Sequence, residues 1–308
     1  MILPNFLIVG AAKAGTTTLY DVLAQHPEVG MSFIKEPNYF SDGWPDWAHS
    51  LEEYSALFRG HEKKKARGEA SPFYFCDPQS APRIRETLGA DIRILIMLRN
   101  PADRAYSHWV HERYKYAREP LSFEAALGQE PERAVSTDVR RLKFYYPGLY
   151  RYRWGSEYAE KVKWYLDIFG HSHLRVLILE EFVRDPVAHS QDVFRFLGVD
   201  DTFVPRIPRS NPASDSAAPA VTRLISSINQ SRLFQGAFGL LPMAGRRFAF
   251  RMGDALFGGL QRRTAGAQHR LEPHLREALL KSYLPDIHAL EQLLGRNLRL
   301  WYDMKPLS

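Results

Sequence analysis

Cysteine is nearly missing from this chain: among 308 residues there is one, Cys76. A single thiol excludes an intramolecular disulfide. The expectation is a small packed side chain in a protein of a reducing compartment. Long hydrophobic runs are missing too. No stretch approaches the ~20 apolar residues that cross a bilayer. The first ten residues run into a strand without a basic stretch or a small-residue cleavage site, so no signal peptide is expected and the predicted location is cytoplasmic. No His, Cys, Asp and Glu set has ligand spacing, which predicts no metal. Strong charge imbalance is absent as well: 41 Lys and Arg against 35 Asp and Glu leave +6. Such a mild field suits an anionic ligand without selecting one, and no basic run is long enough to call for nucleic acid. Internal repeats and low-complexity tracts are lacking.

What is present is an ordinary globular composition, 45% hydrophobic and 25% charged, with enough chain for a sizeable core. Short apolar runs at 6–9, 93–98 and 175–179, and a weaker one at 68–70, read as strands. They are continuous rather than alternating, which suits a parallel sheet covered on both faces. Helical patterns occupy 17–24, 101–113, 150–169 and 186–197, with Pro101 suited to a first helical turn. This alternation predicts an α/β fold with right-handed crossovers. Residues 205–219, "PRIPRSNPASDSAAP", read as a long loop. A helical C-terminal portion (220–308) follows, its last helix at 275–294 stopped by Gly295. We expect a single domain over 1–308, with its core in 1–210.

The opening stretch "FLIVGAAKAGTTTLYDVL" resembles a strand, a phosphate loop and a helix. Gly10 and Gly15 have the separation of G-x-x-x-x-G-K-[ST], and Thr17 takes the hydroxyl position, but Thr16 stands where the lysine belongs. The lysine is Lys13, inside the loop. Backbone N–H groups around Ala14 and Gly15 can still converge on a phosphate at a helix N-terminus, and Thr16, Thr17 and Thr18 add hydroxyl donors. A lysine in this place lies nearer the bond between a 5′-phosphate and its cargo than to a terminal γ-phosphate. A second anion site is readable in "RILIMLRNPADRAYSHW". Arg99 ends a strand, where open α/β sheets bind ligands, and Ser107 lies two turns into the next helix. A bare Arg99–Asp103 ion pair is the plainer alternative. Two phosphate sites on neighbouring strands call for a nucleotide with phosphate at both ends, and 3′-phosphoadenosine 5′-phosphosulfate is one.

These motifs resemble the sulfotransferases that use that donor. "AAKAGTTTL" is similar to the family's 5′-phosphosulfate loop and "LRNPADRAYSHW" to its 3′-phosphate motif. "IKEPNYFSD" (34–42) and "GEASPFYF" (68–75) resemble segments of its carbohydrate and heparan-sulfate-modifying branch. "YLPDIHALEQLLGRNLRLW" (283–301) is similar to the closing helix of bacterial members. The resemblance implies a P-loop-like three-layer fold, with a central parallel sheet flanked by helices, and sulfuryl transfer without a metal. It implies that Lys13 contacts the phosphosulfate, that Thr16–Thr18 cradle it, that Arg99 and Ser107 bind the 3′-phosphate with Tyr150 nearby, and that Glu36 is the base. His108 and His111, close to Ser107, are the alternative bases, and a solvated Lys35–Glu36 pair is the alternative for Glu36. The resemblance leaves the acceptor open among carbohydrates, glycolipids and other small molecules. The disulfide-bearing segment of many Golgi members is absent.

Two other functions stay open on sequence alone. A nucleotide kinase or NTPase would use Glu180 or Glu181 for magnesium, and a non-catalytic module would only bind a nucleotide or polyanion. Residues 63–67 (KKKAR) read as a solvated basic edge. Residues 232–263, which mix aromatics with arginines, read either as a helical cap or as a surface for an apolar acceptor or peripheral membrane contact. Oligomeric state is not encoded in any of these patterns.

Overall fold

A computed structural model describes residues 1–41, 48–142, 145–207 and 269–302. Its centre is a five-stranded sheet: β1 (Phe6–Gly10), β2 (Val29–Met31), β3 (Ala66–Ala70), β4 (Arg93–Leu98) and β5 (Leu174–Ile178). The spatial order is β2-β3-β1-β4-β5, and every pairing is parallel. Phe6 to Val9 and Ile94 to Leu98 are wholly buried, as continuous apolar strands between two helical layers must be. The expected sheet is therefore present, with one strand more than the sequence suggests. That strand is β2, whose three residues are too few to show a period.

The chain leaves β1 toward β2 and β3 on one side, and resumes with β4 on the other. The carboxyl ends of β1 and β4 thus flank the topological switch point, where open α/β sheets form their crevice. Two helices start there. α1 (Thr16–Leu23) follows β1, and Pro101 opens the helix after β4 as expected.

Around the sheet lie helices Leu51–Ala56 (α2), Ser80–Leu88 (α3), Pro101–Val110 (α4), Phe123–Gly128 (α5), Glu130–Val135 (α6), Thr137–Arg140 (α7), Ala159–Phe169 (α8), Leu179–Arg184 (α9), Pro186–Leu197 (α10) and Pro273–Leu294 (α11). α11 ends at Gly295 in the left-handed region, as the C-cap reading requires.

Two helix expectations need correction. The 101–113 helix is regular only to Val110 and then widens into a π-turn, His111–Lys115. The 150–169 helix begins only at Ala159. Tyr150 has φ 58°, and a lone turn, Trp154–Ser156, precedes the helix. Acids from elsewhere impose this shape. Glu130 accepts the Arg153 and Trp154 N–H groups, and Asp286 of α11 accepts those of Tyr158 and Ala159. Distant caps, which local propensity cannot register, set where α8 starts.

Cys76 is a buried free thiol, in keeping with the packing role. The basic 63–67 run leads into β3, an interior strand, and its exposed Lys65 pairs with Glu28 at 2.5 Å. No helix among the described residues is long and apolar enough to cross a membrane. Residues 208–219 of the expected loop and the 232–263 stretch lie outside the described residues.

Candidate active site

The loop between β1 and α1 is shaped by what it cannot accommodate. A Cβ at Gly10 would lie 2.3 Å from the Phe75 Cβ. One at Gly15 would lie 2.7 Å from Leu179, on a backbone with φ +92°. Both glycines are therefore structural requirements of the turn. The loop is tied to the neighbouring strand by the Ala11 N–H, which donates to the Met97 carbonyl at 2.7 Å, and Ala14 closes onto Ala11 at 3.1 Å. Gly15 occupies the N-cap of α1 and has no side chain to cap it. The first-turn N–H groups of Thr16, Thr17 and Thr18 thus have no intrahelical acceptor. Thr16 is buried, Thr17 exposed and Thr18 half-buried.

Lys13 sits at the turn's apex with φ 70°. Five non-glycine residues among those described have positive φ, and Lys13, Glu36 and Tyr150 are three of them. Such conformations cost about 1–3 kcal/mol each and persist where surroundings over-determine them, most often at functional sites. The Lys13 side chain is only half-buried by area, yet protein mass surrounds it. Burial above all, then repulsion by Lys115 and Arg99, pushes its ammonium down to about 7, while Glu36 and Glu112 act the other way. Three cations converge on this point with too little carboxylate to balance them.

Arg99 leaves the end of β4 and donates to the Lys13 carbonyl at 3.4 Å, and its own carbonyl accepts the Tyr158 hydroxyl at 2.8 Å. The structure thus brings Arg99 to the loop. The plainer Arg99–Asp103 pairing does not occur: Asp103 binds Arg276 of α11 through two contacts, at 2.8 and 3.0 Å. Ser107 is buried on α4. Tyr150 donates its hydroxyl to the Arg118 carbonyl at 3.1 Å, and its ring lies 4.8 Å from the Arg133 guanidinium carbon. Burial, Glu112 and Glu119 push its phenol up to about 12.

Glu36 follows β2 at φ 60°, its N–H bonded to the Ala70 carbonyl at the end of β3. Its carboxylate holds the Lys35 ammonium at 2.6 Å. The Lys35–Glu36 pair therefore exists, but at the mouth of the crevice, where Glu36 acts electrostatically on Lys13 and Lys115. His108 is buried, with Nε2 2.6 Å from the Tyr146 hydroxyl. Burial, Arg104 and Lys13 hold it well below the usual imidazole range. His111 is displaced the same way by burial, Lys13 and Lys115. An imidazole so reluctant to gain a proton is a weak general base.

Three groups here escape the sequence reading. Glu112 on the π-turn lies 3.9 Å from His108, 3.9 Å from His111 and 3.7 Å from Arg118, and burial pushes it up to about 7. Lys115 ends the same turn. Its placement depends on a widened helix, which no 3.6-residue periodicity foretells. Arg104, wholly buried on α4, reaches back to the loop. A signal for it exists: 104, 107 and 108 share one helical face, and all three are polar. Glu180 and Glu181 are occupied. Glu180 accepts the Asn100 N–H at 2.8 Å and the Trp301 indole at 2.9 Å, and Glu181 pairs with Arg296 at 2.6 Å. Neither carboxylate is free for magnesium. Among the described residues no group of three or more His, Cys, Asp and Glu could hold a metal ion.

The sequence profile of the sulfotransferase domain matches residues 3–216, and so contains the loop, Glu36, Arg99 and Ser107. The chain belongs to the sulfotransferase family. Members of this enzyme family use 3′-phosphoadenosine 5′-phosphosulfate as donor. A sulfotransferase crystal structure from Alicyclobacillus acidocaldarius is 32% identical, with a TM-score of 0.70, over 98% of this chain and 99% of that one. Among curated relatives, the membrane-associated sulfotransferase kil1 of Dictyostelium discoideum is 33% identical over 147 residues, 45% of this chain and 30% of that protein. The human bifunctional heparan sulfate N-deacetylase/N-sulfotransferase 2 is 29% identical over 209 residues, 64% of this sulfotransferase and 22% of that one. The chain thus matches under a third of the length of these two curated relatives.

Proposed function

We propose that this sulfotransferase moves the sulfuryl group of 3′-phosphoadenosine 5′-phosphosulfate to a hydroxyl or amine of a carbohydrate, glycolipid or other small-molecule acceptor. The observation that carries this reading is the surplus of positive charge at the switch point: Lys13 strained and short of counter-charge, with Arg99 beside it from the neighbouring strand. That arrangement fits a ligand with an anion at each end. The N–H groups and hydroxyls of Thr16–Thr18, with Ala14 and Gly15, would hold the 5′-phosphosulfate. Arg99 and Ser107 would hold the 3′-phosphate, with Tyr150 at the Arg118 edge of the same crevice.

Transfer is an in-line displacement. The acceptor oxygen or nitrogen bonds to sulfur as the sulfur–oxygen bond to the 5′-phosphate breaks, and the electron pair leaves with the phosphate. Lys13 neutralises the charge appearing on that leaving oxygen. Glu36 takes the acceptor's proton, and the depressed basicity of His108 and His111 favours it over them. The occupied state of Glu180 and Glu181 weighs against the kinase reading. We read the chain as one domain working in the cytoplasm, since its one cysteine suits a reducing compartment.

Thermal unfolding with adenosine 3′,5′-bisphosphate or with ATP and magnesium tests the proposal. The bisphosphate should stabilise by about 2.7 kcal/mol at 100 times its Kd. Stabilisation by ATP–magnesium with none by the bisphosphate would refute the proposal. Incubation of acceptor panels with ³⁵S-labelled donor then identifies the acceptor class.

A further inference from the structure

Arg104 is among the largest wholly buried side chains of the protein, at 1% exposure, and it has no carboxylate partner among the described residues. All three of its hydrogen bonds go to uncharged oxygens: Nε to the Ser156 hydroxyl at 2.7 Å, Nη1 to the Ala12 carbonyl at 3.1 Å and Nη2 to the Tyr152 carbonyl at 3.4 Å. Ser156 is oriented in turn by donating to the same Tyr152 carbonyl at 2.9 Å. Gly155 leaves room for the guanidinium, since a Cβ there would lie 2.5 Å from Nη2. A buried guanidinium without a counter-ion is expensive, and replacing it with an apolar side chain would ordinarily be the cheaper solution for a core. Its position supplies the reason. Ala12 immediately precedes Lys13, so one arginine bolts the strained loop to the 152–156 turn while leaving its positive charge behind the anion crevice.

We propose that Arg104 is a positioning residue for Lys13: by holding the Ala12 carbonyl from behind, it fixes the loop conformation that presents the Lys13 ammonium. Arg99 has a different place. Its contact with the Lys13 carbonyl is long, at 3.4 Å, and comes from a half-buried side chain free to turn to a ligand, whereas Arg104 is enclosed on every side. The inference rests on the anion-site reading of the loop, and the experiment separates the two.

Affinity for adenosine 3′,5′-bisphosphate and turnover with ³⁵S donor are measured for the unaltered chain, Arg104→Gln, Lys13→Met and the double variant. The milder Ser156→Ala removes the Nε acceptor together with the hydroxyl's bond to the Tyr152 carbonyl, and its melting profile checks that the fold is kept. Failure of the unaltered chain to bind the bisphosphate overturns the anion-site reading itself. With that binding established, Arg104→Gln should weaken bisphosphate affinity and turnover by about tenfold or more. Ser156→Ala should move both in the same direction by a smaller factor. In the Lys13→Met background, Arg104→Gln should add less than about threefold to the loss of affinity, because the residue it positions is gone. Full additivity of the two losses, or values within about twofold of the unaltered chain for both Arg104→Gln and Ser156→Ala, overturns the positioning role.

Discussion

Lys13 is a cation held where cations are disfavoured, and its chemistry follows from that. With its ammonium pushed down to about 7, Lys13 loses its proton as pH rises through that value in the free protein. An anion in the crevice reverses this by favouring the charged form. At pH 8, where the ligand's own phosphates are already ionised, bisphosphate binding is therefore expected to take up close to one proton. Calorimetry in buffers of different ionisation enthalpy measures this directly, and Lys13→Met should abolish the buffer dependence. The same substitution should lower kcat by at least about 10²–10³-fold. Glu36→Gln should leave bisphosphate affinity unchanged and cost about 10²–10⁴-fold in rate. A surviving rate would move the base to another group. Lys13 and Arg99 could be picked out from sequence because each stands in a motif with its own chemistry, and Glu36 only through resemblance to the family. Glu112 and Lys115 could not, because their importance lies in what they face across the fold, and Arg104 left only the trace of a polar helical face.

Among the elements, the loop and the C-terminal helix carry the most instructive constraints. Gly15→Ala would place a Cβ 2.7 Å from Leu179 and 3.0 Å from the Met97 sulfur on a left-handed backbone. A loss of about 1–3 kcal/mol in chemical denaturation is expected, together with loss of bisphosphate binding. α11 and the turn after it serve the site from a distance. Arg276 grips Asp103, Asp286 caps α8, and Trp301 is tied to Glu180 and to the Asn100 side chain, next to Arg99. Trp301 is 2% exposed, and Trp301→Ala should cost about 3–5 kcal/mol by denaturant titration. The family-like tail at 283–301 thus acts as a brace for the strand end that carries Arg99.

For the molecule as a whole, two buried carboxylates set an unusual pH response. Burial pushes Glu69 and Glu112 each up to about 7, from an ordinary value of 4.5. A carboxyl whose folded pKa is raised stabilises fully below 4.5, and that contribution disappears as pH climbs toward 7. Each group accounts for up to roughly 3 kcal/mol. His108 and His111 oppose them, since a depressed imidazole costs stability as pH falls below 6.5. The Glu69 contribution is therefore read as a difference: the stability gap between the unaltered chain and Glu69→Gln should shrink as pH rises from 5 to 7.5, in melting curves across that range. A gap that widens with pH would contradict this assignment.

The amino-acid sequence alone determined the parallel α/β class and the order in which the Lys13 and Arg99 motifs meet the sheet. Strand hydrophobicity, glycine spacing and helix-starting prolines are local properties, written where they act. Tertiary structure alone decided that the Lys13 and Arg99 motifs converge, that Asp103 belongs to Arg276, that Tyr150 faces Arg118 and Arg133, and that α8 begins at Ala159. Those outcomes depend on crossovers, on caps supplied from over a hundred residues away and on one widened helical turn. Electrostatic and hydrogen-bonding partners are chosen by distance in space, which separation along the chain does not reveal.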